Sequence, residues 1–323
     1  MSAITRRFFL CTAAMAALAR SAAAGEFPER PIRVIVPYAA GGAGDVTMRI
    51  LSPVIEHDLD QTLVIESRAG GGGTIGAQDV ANAAPDGYTL LCGATNNFAI
   101  NQFMFPKVAF DPLASLSLIT KIADVPSVLY SSPAVPAKTL GEFIAYAKAN
   151  PGKLNYASPS VGTTPHLAVE RLKQLTGIDL VHIPYHGAPP AMQALLENQV
   201  QLYLAGWGVG RSYVDAGRVN ALAVAAAHPV ASIPLPTAID SGVAGFVASN
   251  WWGLAAPKAT PQPVVDRIWH AVVATLADQS VRQNLDKVGF IPVGNTPAEF
   301  LSDTKAEAKI WSETISRGKL ALD

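Results

Sequence analysis

The chain has 323 residues, of which 50% are hydrophobic and 15% are charged. This composition excludes wholesale disorder, because disordered chains are polar and highly charged. The formal net charge of −1 gives no general electrostatic reason to bind nucleic acid or an anionic surface. The length is typical of two domains, or of one large unit with two lobes.

Residues 1–24 have the pattern of an export signal. Arg6 and Arg7 precede an uncharged segment, Phe8–Ala19, and small residues continue to a cleavage site after Ala24. A basic start, a short apolar core and an A-x-A end are typical of secretory signals. The two arginines fit either the twin-arginine route or an ordinary Sec signal. We therefore expect a mature protein that begins near Gly25 and is soluble in the periplasm.

Outside that signal the chain contains a single cysteine, Cys92. An intramolecular disulfide is therefore excluded, and the fold must depend on its hydrophobic core. Cys92 ends an apolar run that begins at Tyr88. We predict that it is a buried core residue and not a nucleophile.

Predicted strands and helices alternate along the chain. Apolar and β-branched runs predict strands at 31–36, 63–66, 88–92, 154–157, 180–183, 200–204, 219–225 and 250–256. Apolar stripes and capping residues predict helices that start at Asp45, Thr139, Thr260 and Thr296, and others at 74–84, 165–176 and 188–198. This alternation predicts an α/β fold with two lobes, each a mostly parallel sheet flanked by helices.

Five predicted loops each follow a strand, and ligands of open α/β sheets bind at these carboxyl ends. The loops are 37–44, 68–73, 93–97, 158–164 and 184–187. Gly41, Gly42 and Gly70–Gly73 would let a ligand approach the backbone closely. Backbone N–H groups and the helix dipole then form an anion site, which predicts a carboxylate or phosphate pocket. For any one loop, glycines that only make a tight turn are the alternative.

One glycine pattern, Gly71-x-Gly73-x-x-Gly76, formally matches the dinucleotide-binding fingerprint. That fingerprint requires an acidic residue about 20 residues further on, which binds the ribose hydroxyl. Asn96 and Asn97 occupy that position in this chain. A secreted oxidoreductase that binds a dinucleotide on this loop is therefore the competing interpretation and not the main one.

The histidines do not form the pattern of a hydrolase or of a metal site. The chain contains neither a G-x-S-x-G motif nor an H-E-x-x-H motif. Pro184 separates His182 from His186, so these two residues cannot share one turn of a helix. His166 lies at the start of a predicted helix, where it would either line a pocket or cap the helix. We expect no metal and no cofactor.

Several sequence blocks occur in a characteristic order. They are Arg30–Pro37 with Gly41-Gly42-x-x-Asp45, Glu66–Ala77, Ala84–Leu91, Pro151–Ser158, His182–Gly187, Trp252–Pro257 and Pro292–Pro297. Together these blocks resemble the tripartite tricarboxylate transporter receptor family, also called Bug-type solute receptors. The resemblance covers essentially the whole chain after the signal.

The resemblance implies a two-lobed periplasmic binding protein with a type II-like fold and a ligand cleft between its lobes. It implies a first lobe of residues 25–123 and 249–323, and a second lobe of residues 124–248. Such a receptor is not an enzyme; it captures a small organic carboxylate and delivers it, through transient contact, to membrane transporter subunits. We accordingly expect a periplasmic monomer that binds no nucleic acid. A receptor that feeds a signalling system fits the sequence equally well.

The resemblance also places the ligand-binding residues on the loops described above. In the first lobe they are Tyr38, Ala40, Gly41, Gly42, Gly71, Gly72, Gly73, Thr95 and Asn96. In the second lobe they are Ser158, Gly162, Thr163, His166, Tyr185 and Trp207. The first set would hold a carboxylate on its backbone, and the second set would select the rest of the molecule.

The chain departs from the family pattern after the strand at 200–204. Where the family commonly has an Asp-Asn pair, this chain has Ala205 and Gly206, followed by Trp207. A ligand ammonium group would find no acidic partner here, whereas an indole would offer a flat apolar surface. The sequence thus predicts a preference for a carboxylate with an uncharged tail, which includes aromatic tails, over acidic amino acids. Trp207 as plain core packing is the alternative, and the identity of the carboxylate is not determined.

Overall fold

Eleven strands and eleven helices make up the described part of a computed structural model, which covers residues 27–105 and 110–322. The predicted export signal lies outside the described residues. The strands are β1 (Ile32–Val36), β2 (Leu63–Ser67), β3 (Thr89–Ala94), β4 (Leu116–Val125), β5 (Ser127–Ser131), β6 (Leu154–Ser158), β7 (Leu180–Pro184), β8 (Leu202–Gly206), β9 (Asn220–Val224), β10 (Asn250–Pro257) and β11 (Ile291–Pro292).

The helices connect these strands or pack on the faces of the sheets. They are α1 (Ala43–Leu59), α2 (Thr74–Ala81), α3 (Asn101–Met104), α4 (Pro112–Ser115), α5 (Leu140–Ala149), α6 (Thr164–Thr176), α7 (Ala188–Leu196), α8 (Trp207–Asp215), α9 (Gln262–Ala277), α10 (Gln279–Lys287) and α11 (Pro297–Gly318). A 3₁₀ turn, Gly71–Gly73, precedes α2, and a π-helical turn, Asn96–Ile100, precedes α3. No helix within the described ranges is both long enough and apolar enough to cross a membrane.

The strands form two sheets, in the orders β11-β4-β10-β3-β1-β2 and β7-β6-β8-β5-β9. The predicted two-lobed α/β class is confirmed, but the sheets are mixed rather than mostly parallel. In the first sheet β1 pairs in parallel with β2 and β3, whereas β10 is antiparallel to β3 and β4. The second sheet likewise has parallel pairs around β6 and antiparallel pairs around β5. The antiparallel pairs arise because the chain leaves the first sheet along β4 and returns to it along β10.

Two short connections join the sheets, and we call them together the crossover. Pro126 links β4 directly to β5, and residues 247–249 lead back into β10. Strands β5–β9 fall between residues 124 and 248, which we propose as the limits of the second lobe. The sequence does not predict β4 and β5. Both strands are largely buried, so neither shows an alternation of buried and exposed residues.

Hydrophobic contacts also cross between the two sheets. Trp311 and Ile315 of α11 belong to the core of the second sheet, with Leu167 of α6, whereas Phe300 of the same helix packs under the first sheet. Met104 of α3 lies in the second core as well. The long C-terminal helix therefore stabilises both lobes at once.

The first helix begins three residues earlier than the sequence predicts. Its N-cap is Gly42 and not Asp45, which lies in the first turn. The Asp45 carboxylate accepts a hydrogen bond from the N–H of Gly41 at 3.0 Å and pairs with Arg49 at 2.9 Å. This ion pair lowers the pKa of Asp45. An acidic residue in the first turn is stabilised by the helix dipole without being the cap.

Cys92 is confirmed as a core residue, because it is fully buried in the core of the first sheet. Burial raises the pKa of its thiol well above the ordinary value. The thiol therefore remains protonated at neutral pH and is a poor nucleophile.

Gly44 and Trp252 provide a test of the packing between α1 and β10. A Cβ at Gly44 would overlap the indole of Trp252. The φ angle of Gly44 is not in the left-handed region, so the overlap is the cause of the expected effect. We expect Gly44→Ala to lower the free energy of unfolding by about 1–3 kcal/mol through overpacking. As a control, Gly141→Ala lies on α5 with no atom within 4 Å of its Cβ. It should raise stability by about 0.5–1 kcal/mol. Urea denaturation measures both, and an unchanged Gly44→Ala midpoint would contradict the described packing.

Candidate functional site

Five helices follow strands after at most six residues and begin without a side-chain cap. Their N-cap residues are Gly42 for α1, Gly73 for α2, Thr163 for α6, Gly187 for α7 and Gly206 for α8. By contrast, α4, α5, α10 and α11 begin at an Asp or Thr whose side chain accepts the first N–H groups. Helix α9, whose N-cap is Pro261, is also uncapped and follows β10 after four residues. The uncapped N-termini at the strand ends therefore keep N–H donors for a ligand or for water.

Two asparagines shape the glycine loop that precedes α2. Asn97 donates through Nδ2 to the carbonyl of Gly73 at 3.1 Å, and its Oδ1 accepts the hydroxyl of Tyr38 at 3.1 Å. Asn101 donates to the carbonyl of Gly72 at 2.9 Å. Two successive carbonyl groups are thereby held by buried side chains. Tyr38 and the glycine loop are thus brought together, as the sequence predicts.

The backbone of this loop is left-handed at each of its glycines. The φ angles are +55° at Gly71, +63° at Gly72 and +90° at Gly73. The N–H of Gly73 closes the turn onto Gly70, whereas Gly71 and Gly72 are exposed. Within the described ranges, no acceptor takes the N–H groups of Gly71 and Gly72. Successive free N–H groups in such a turn form a concave anion-binding surface.

Asn96 connects the loops of the two sheets. Its Nδ2 donates to the carbonyl of Gly162 at 2.9 Å, and its Oδ1 accepts the hydroxyl of Thr164 at 3.3 Å. The side chain of Met104 packs on Gly162 from the same side. The predicted residues after β3 and after β6 are therefore in direct contact across the gap between the lobes.

A cluster of polar side chains lies at the end of β6. Ser158 donates its hydroxyl hydrogen to the carbonyl of Ser160 at 2.9 Å and accepts from Nε2 of His182 at 2.7 Å. Nδ1 of His166 accepts the N–H of Gly162 at 3.0 Å. The two imidazoles are stacked, with ring centres 4.0 Å apart. The His166 side chain thus holds the loop in place by accepting the backbone N–H of Gly162.

These hydrogen bonds determine the protonation of the cluster. In the arrangement in which Ser158 donates to the carbonyl of Ser160, Nε2 of His182 carries a hydrogen. Burial lowers the pKa of His166 and of His182 to about 4, so both rings are neutral at neutral pH. A base that carries a hydrogen on the facing nitrogen does not activate the serine. The arrangement is suited to hydrogen bonding and not to nucleophilic catalysis.

Three further predicted residues are Thr95, Tyr185 and Trp207, of which Thr95 and Trp207 are buried and Tyr185 is half-buried. Thr95 is fully buried, and its hydroxyl accepts the N–H of Trp251 at 3.0 Å. Tyr185 donates its backbone N–H to the carbonyl of Ser158 at 2.8 Å. Trp207 is 8% exposed and packs in the core of the second sheet, and its Nε1 has no hydrogen-bond partner among the described residues. The indole N–H is therefore buried without an acceptor among the described residues.

The predicted binding residues do not include Asn97, Asn101 or His182, which support the loops, although Asn97 lies in the predicted loop 93–97. Asn97 and Asn101 are four residues apart on a helical segment, a spacing that places both on one face. This spacing of four residues is the feature of the sequence that could have identified the two asparagines as a pair. His182 and Trp252 gave no local signal, because their partners Ser158 and Gly44 are distant in sequence.

Beside the glycine loop, Asn96 and Met104 hold the two lobes in contact at Gly162. A cavity of about 350 Å³ lies further along the gap and is lined by Trp207, Arg211 and Lys287, among others. A larger cavity of about 680 Å³ adjoins the crossover, and none of the predicted site residues lines it.

Comparison with known proteins identifies relatives along nearly the whole chain. Residues 47–317 match the family described as tripartite tricarboxylate transporter family receptor. Protein BugT of Bordetella pertussis is 31% identical over 309 residues, which cover 95% of this chain and 94% of BugT. A protein of the gbd 5′ region of Cupriavidus necator is 34% identical over 313 residues, covering 96% of this chain and 91% of that protein.

Solved structures share the fold and in two cases contain a carboxylate. R. palustris Rpa4515 with adipate has a TM-score of 0.79 at 29% identity and covers 92% of this chain and 99% of its own. MatC from Rhodopseudomonas palustris with bound malate has a TM-score of 0.75 at 31% identity, and the match covers 90% of this chain and 100% of MatC. The periplasmic binding protein BugD has a TM-score of 0.75 at 33% identity, and the match covers 91% of this chain and 99% of BugD.

The lowered pKa values of His166 and His182 predict that the free energy of unfolding falls in mild acid. The unfolded chain binds protons at His166 and His182 from pH about 6.5 downward, whereas the folded protein does so only near pH 4. The free energy of unfolding should therefore be constant above pH 6.5 and should fall between pH 6.5 and pH 4. We expect His182→Gln to flatten this slope and the exposed His57→Gln to preserve it. Urea denaturation at several pH values measures the slope, and equal slopes in wild type and His182→Gln would refute the assignment.

Proposed function

Because the chain belongs to the tripartite tricarboxylate transporter receptor family, we propose that it binds a small organic carboxylate between its two lobes and presents it to a membrane transporter. Membership confirms the resemblance predicted from the sequence blocks. Members of this family are periplasmic solute receptors, which agrees with the expected export of the chain. The adipate and malate held by two relatives support a carboxylate as the ligand here.

The observation that carries the proposal is the set of free N–H donors at the strand ends. A carboxylate accepts hydrogen bonds on both oxygens, and the exposed N–H groups of Gly71 and Gly72 are matched to it. The uncapped first turn of α1 adds donors and a positive dipole end. Donors and dipole together favour an anion over a neutral ligand.

The cationic side chains near these loops are already paired. Arg49 is bound by the Asp45 carboxylate, and Arg68 by the Asp79 carboxylate at 2.8 Å. A ligand carboxylate would have to displace one of these acids to pair with an arginine. Binding through the backbone avoids this cost, which is why we assign the carboxylate to the glycine loop.

In the second lobe we assign selection of the ligand's remaining part to the loop around Ser158 and Gly162 and to Trp207. The donors of α6 and the neutral histidines can bind polar groups of a ligand without adding charge. We propose that the protein acts as a periplasmic monomer without catalytic activity, and that its transporter contact is transient. Ala40, Gly41, Gly42, Thr95, Asn96, Thr163 and Tyr185 complete the proposed site.

The backbone assignment is tested by comparing Asn101→Ala with Arg68→Ala. Removal of the Asn101 side chain releases the carbonyl of Gly72, so the glycine loop loses its shape. The carboxylate that the wild type binds is first identified by titrating adipate, malate and aromatic acids. In Asn101→Ala we expect the affinity for that carboxylate to fall about tenfold or more. Arg68 is exposed and paired with Asp79, so Arg68→Ala should preserve the affinity.

Isothermal titration calorimetry on folded samples of both variants gives the affinities. Loss of binding in Arg68→Ala alone would indicate a side-chain ion pair and reject the backbone site. Binding of nucleotides with no response to any carboxylate would reject the receptor function itself and support the dinucleotide alternative.

The predicted selectivity is tested by competition between benzoate and aspartate. Ala205 is buried and Gly206 half-buried, so an ammonium group here would lose water without gaining an acidic partner. We expect benzoate to bind at least tenfold more tightly, a difference of about 1.4 kcal/mol. Trp207→Ala should reduce that preference, whereas Trp269→Ala, on α9 of the first lobe, should not. Tighter binding of aspartate, or a preference unchanged in Trp207→Ala, would reject this role of the indole.

A further inference from the structure

The cavity of about 680 Å³ beside the crossover is separate from the proposed carboxylate site. Pro126 and Ser249 of the crossover form one boundary, Val230 of the second lobe another, and Phe290 and Ile291 of the first lobe a third. Its size lies within the range of small-molecule pockets, about 300–1,000 Å³. Because its walls come from both lobes, a molecule bound here would bridge them. We call it the crossover cavity.

A single ion pair lies in the wall of the crossover cavity. Nζ of Lys121 is 3.4 Å from Oδ1 of Asp124, and their side chains are 15% and 32% exposed. Oδ1 of Asp124 is buried and accepts no hydrogen bond of normal geometry from the described residues. Oδ2 of Asp124 also has no donor within the described ranges, and the side chain is partly exposed beside the cavity. Burial raises the pKa of Asp124, as expected of a carboxylate with too few partners.

The remaining charges of the crossover cavity cancel. Arg282 and Asp286 lie at its edge, and His228 is the only other titratable residue that lines it. Nε of Arg282 donates to the carbonyl of Leu276 at 2.8 Å. With Lys121 and Asp124, the lining has two positive and two negative groups. A charged ligand would add an unbalanced charge to a mostly apolar space, which is unfavourable.

We propose that the crossover cavity binds an uncharged small molecule with an apolar body and one hydroxyl donor. The apolar body would pack against Val230, Val247 and Phe290. The hydroxyl would donate to Oδ2 of Asp124, since an ionised carboxylate accepts several hydrogen bonds. A phenol has this combination of features. The site is independent of the carboxylate site, so either one is testable without the other.

The test compares para-ethylphenol with para-ethylanisole, which has the same body but no donor. In isothermal titrations of the mature protein without carboxylate, we expect the phenol to bind at least tenfold more tightly than the anisole. That ratio corresponds to about 1.4 kcal/mol. para-Ethylbenzylamine, which is charged, should bind more weakly than the phenol. Equal affinities of phenol and anisole, tighter binding of the amine, or no binding of the phenol would overturn the proposal.

A cavity-filling variant locates the binding. Ala227 is exposed and lines the crossover cavity, so Ala227→Trp should abolish phenol binding and preserve carboxylate binding. Ala244→Trp, at an exposed position of the same lobe that does not line the cavity, should leave both unchanged. Phenol binding that survives in a folded Ala227→Trp protein would overturn the assignment. If that variant does not fold, the comparison of phenol with anisole in the wild type still decides the proposal.

Discussion

Backbone N–H groups without partners are the feature around which both lobes are arranged. Every α-helix starts with N–H groups that its own carbonyls cannot reach, and a protein normally satisfies them with an Asp, Ser or Thr side chain. Here α5 and α11 have complete capping boxes, whereas the helices that follow β1, β2, β6, β7 and β8 have none. The missing caps are the structural condition for an anion to bind without a cationic side chain.

Free donors are useful only where the loop that holds them is rigid. Asn97, Asn101 and Tyr38 supply this rigidity through hydrogen bonds to the glycine loop and to one another. The edge of the Tyr38 ring in turn packs on Trp252, with ring centres 5.5 Å apart. Trp252 lies on β10, the strand by which the chain returns from the second lobe. The strand that connects the lobes thus also supports the first binding loop.

The overall class and the position of the loops could be predicted because they depend on local patterns. Alternating strands and helices, with glycine loops after the strands, identify an α/β protein with ligand loops at the strand ends. The strand directions could not be predicted in this way. β10 has an apolar run like that of a parallel strand, and its antiparallel pairing with β3 and β4 depends on where the chain crosses between lobes. β4 is buried on both faces, so its residues show no period of two.

The sequence by itself determined the family, the absence of an intramolecular disulfide after the predicted export signal, and the order of the glycine loops. Each of these follows from residue identities or from neighbours within a few positions. Tertiary structure decided which side chains meet. Asn96 reaches Gly162 across 66 positions, and Ser158 meets His182 across 24. Such pairs depend on strand register and on the crossover, which no local periodicity encodes, because a contact between distant residues is set by the packing of whole elements.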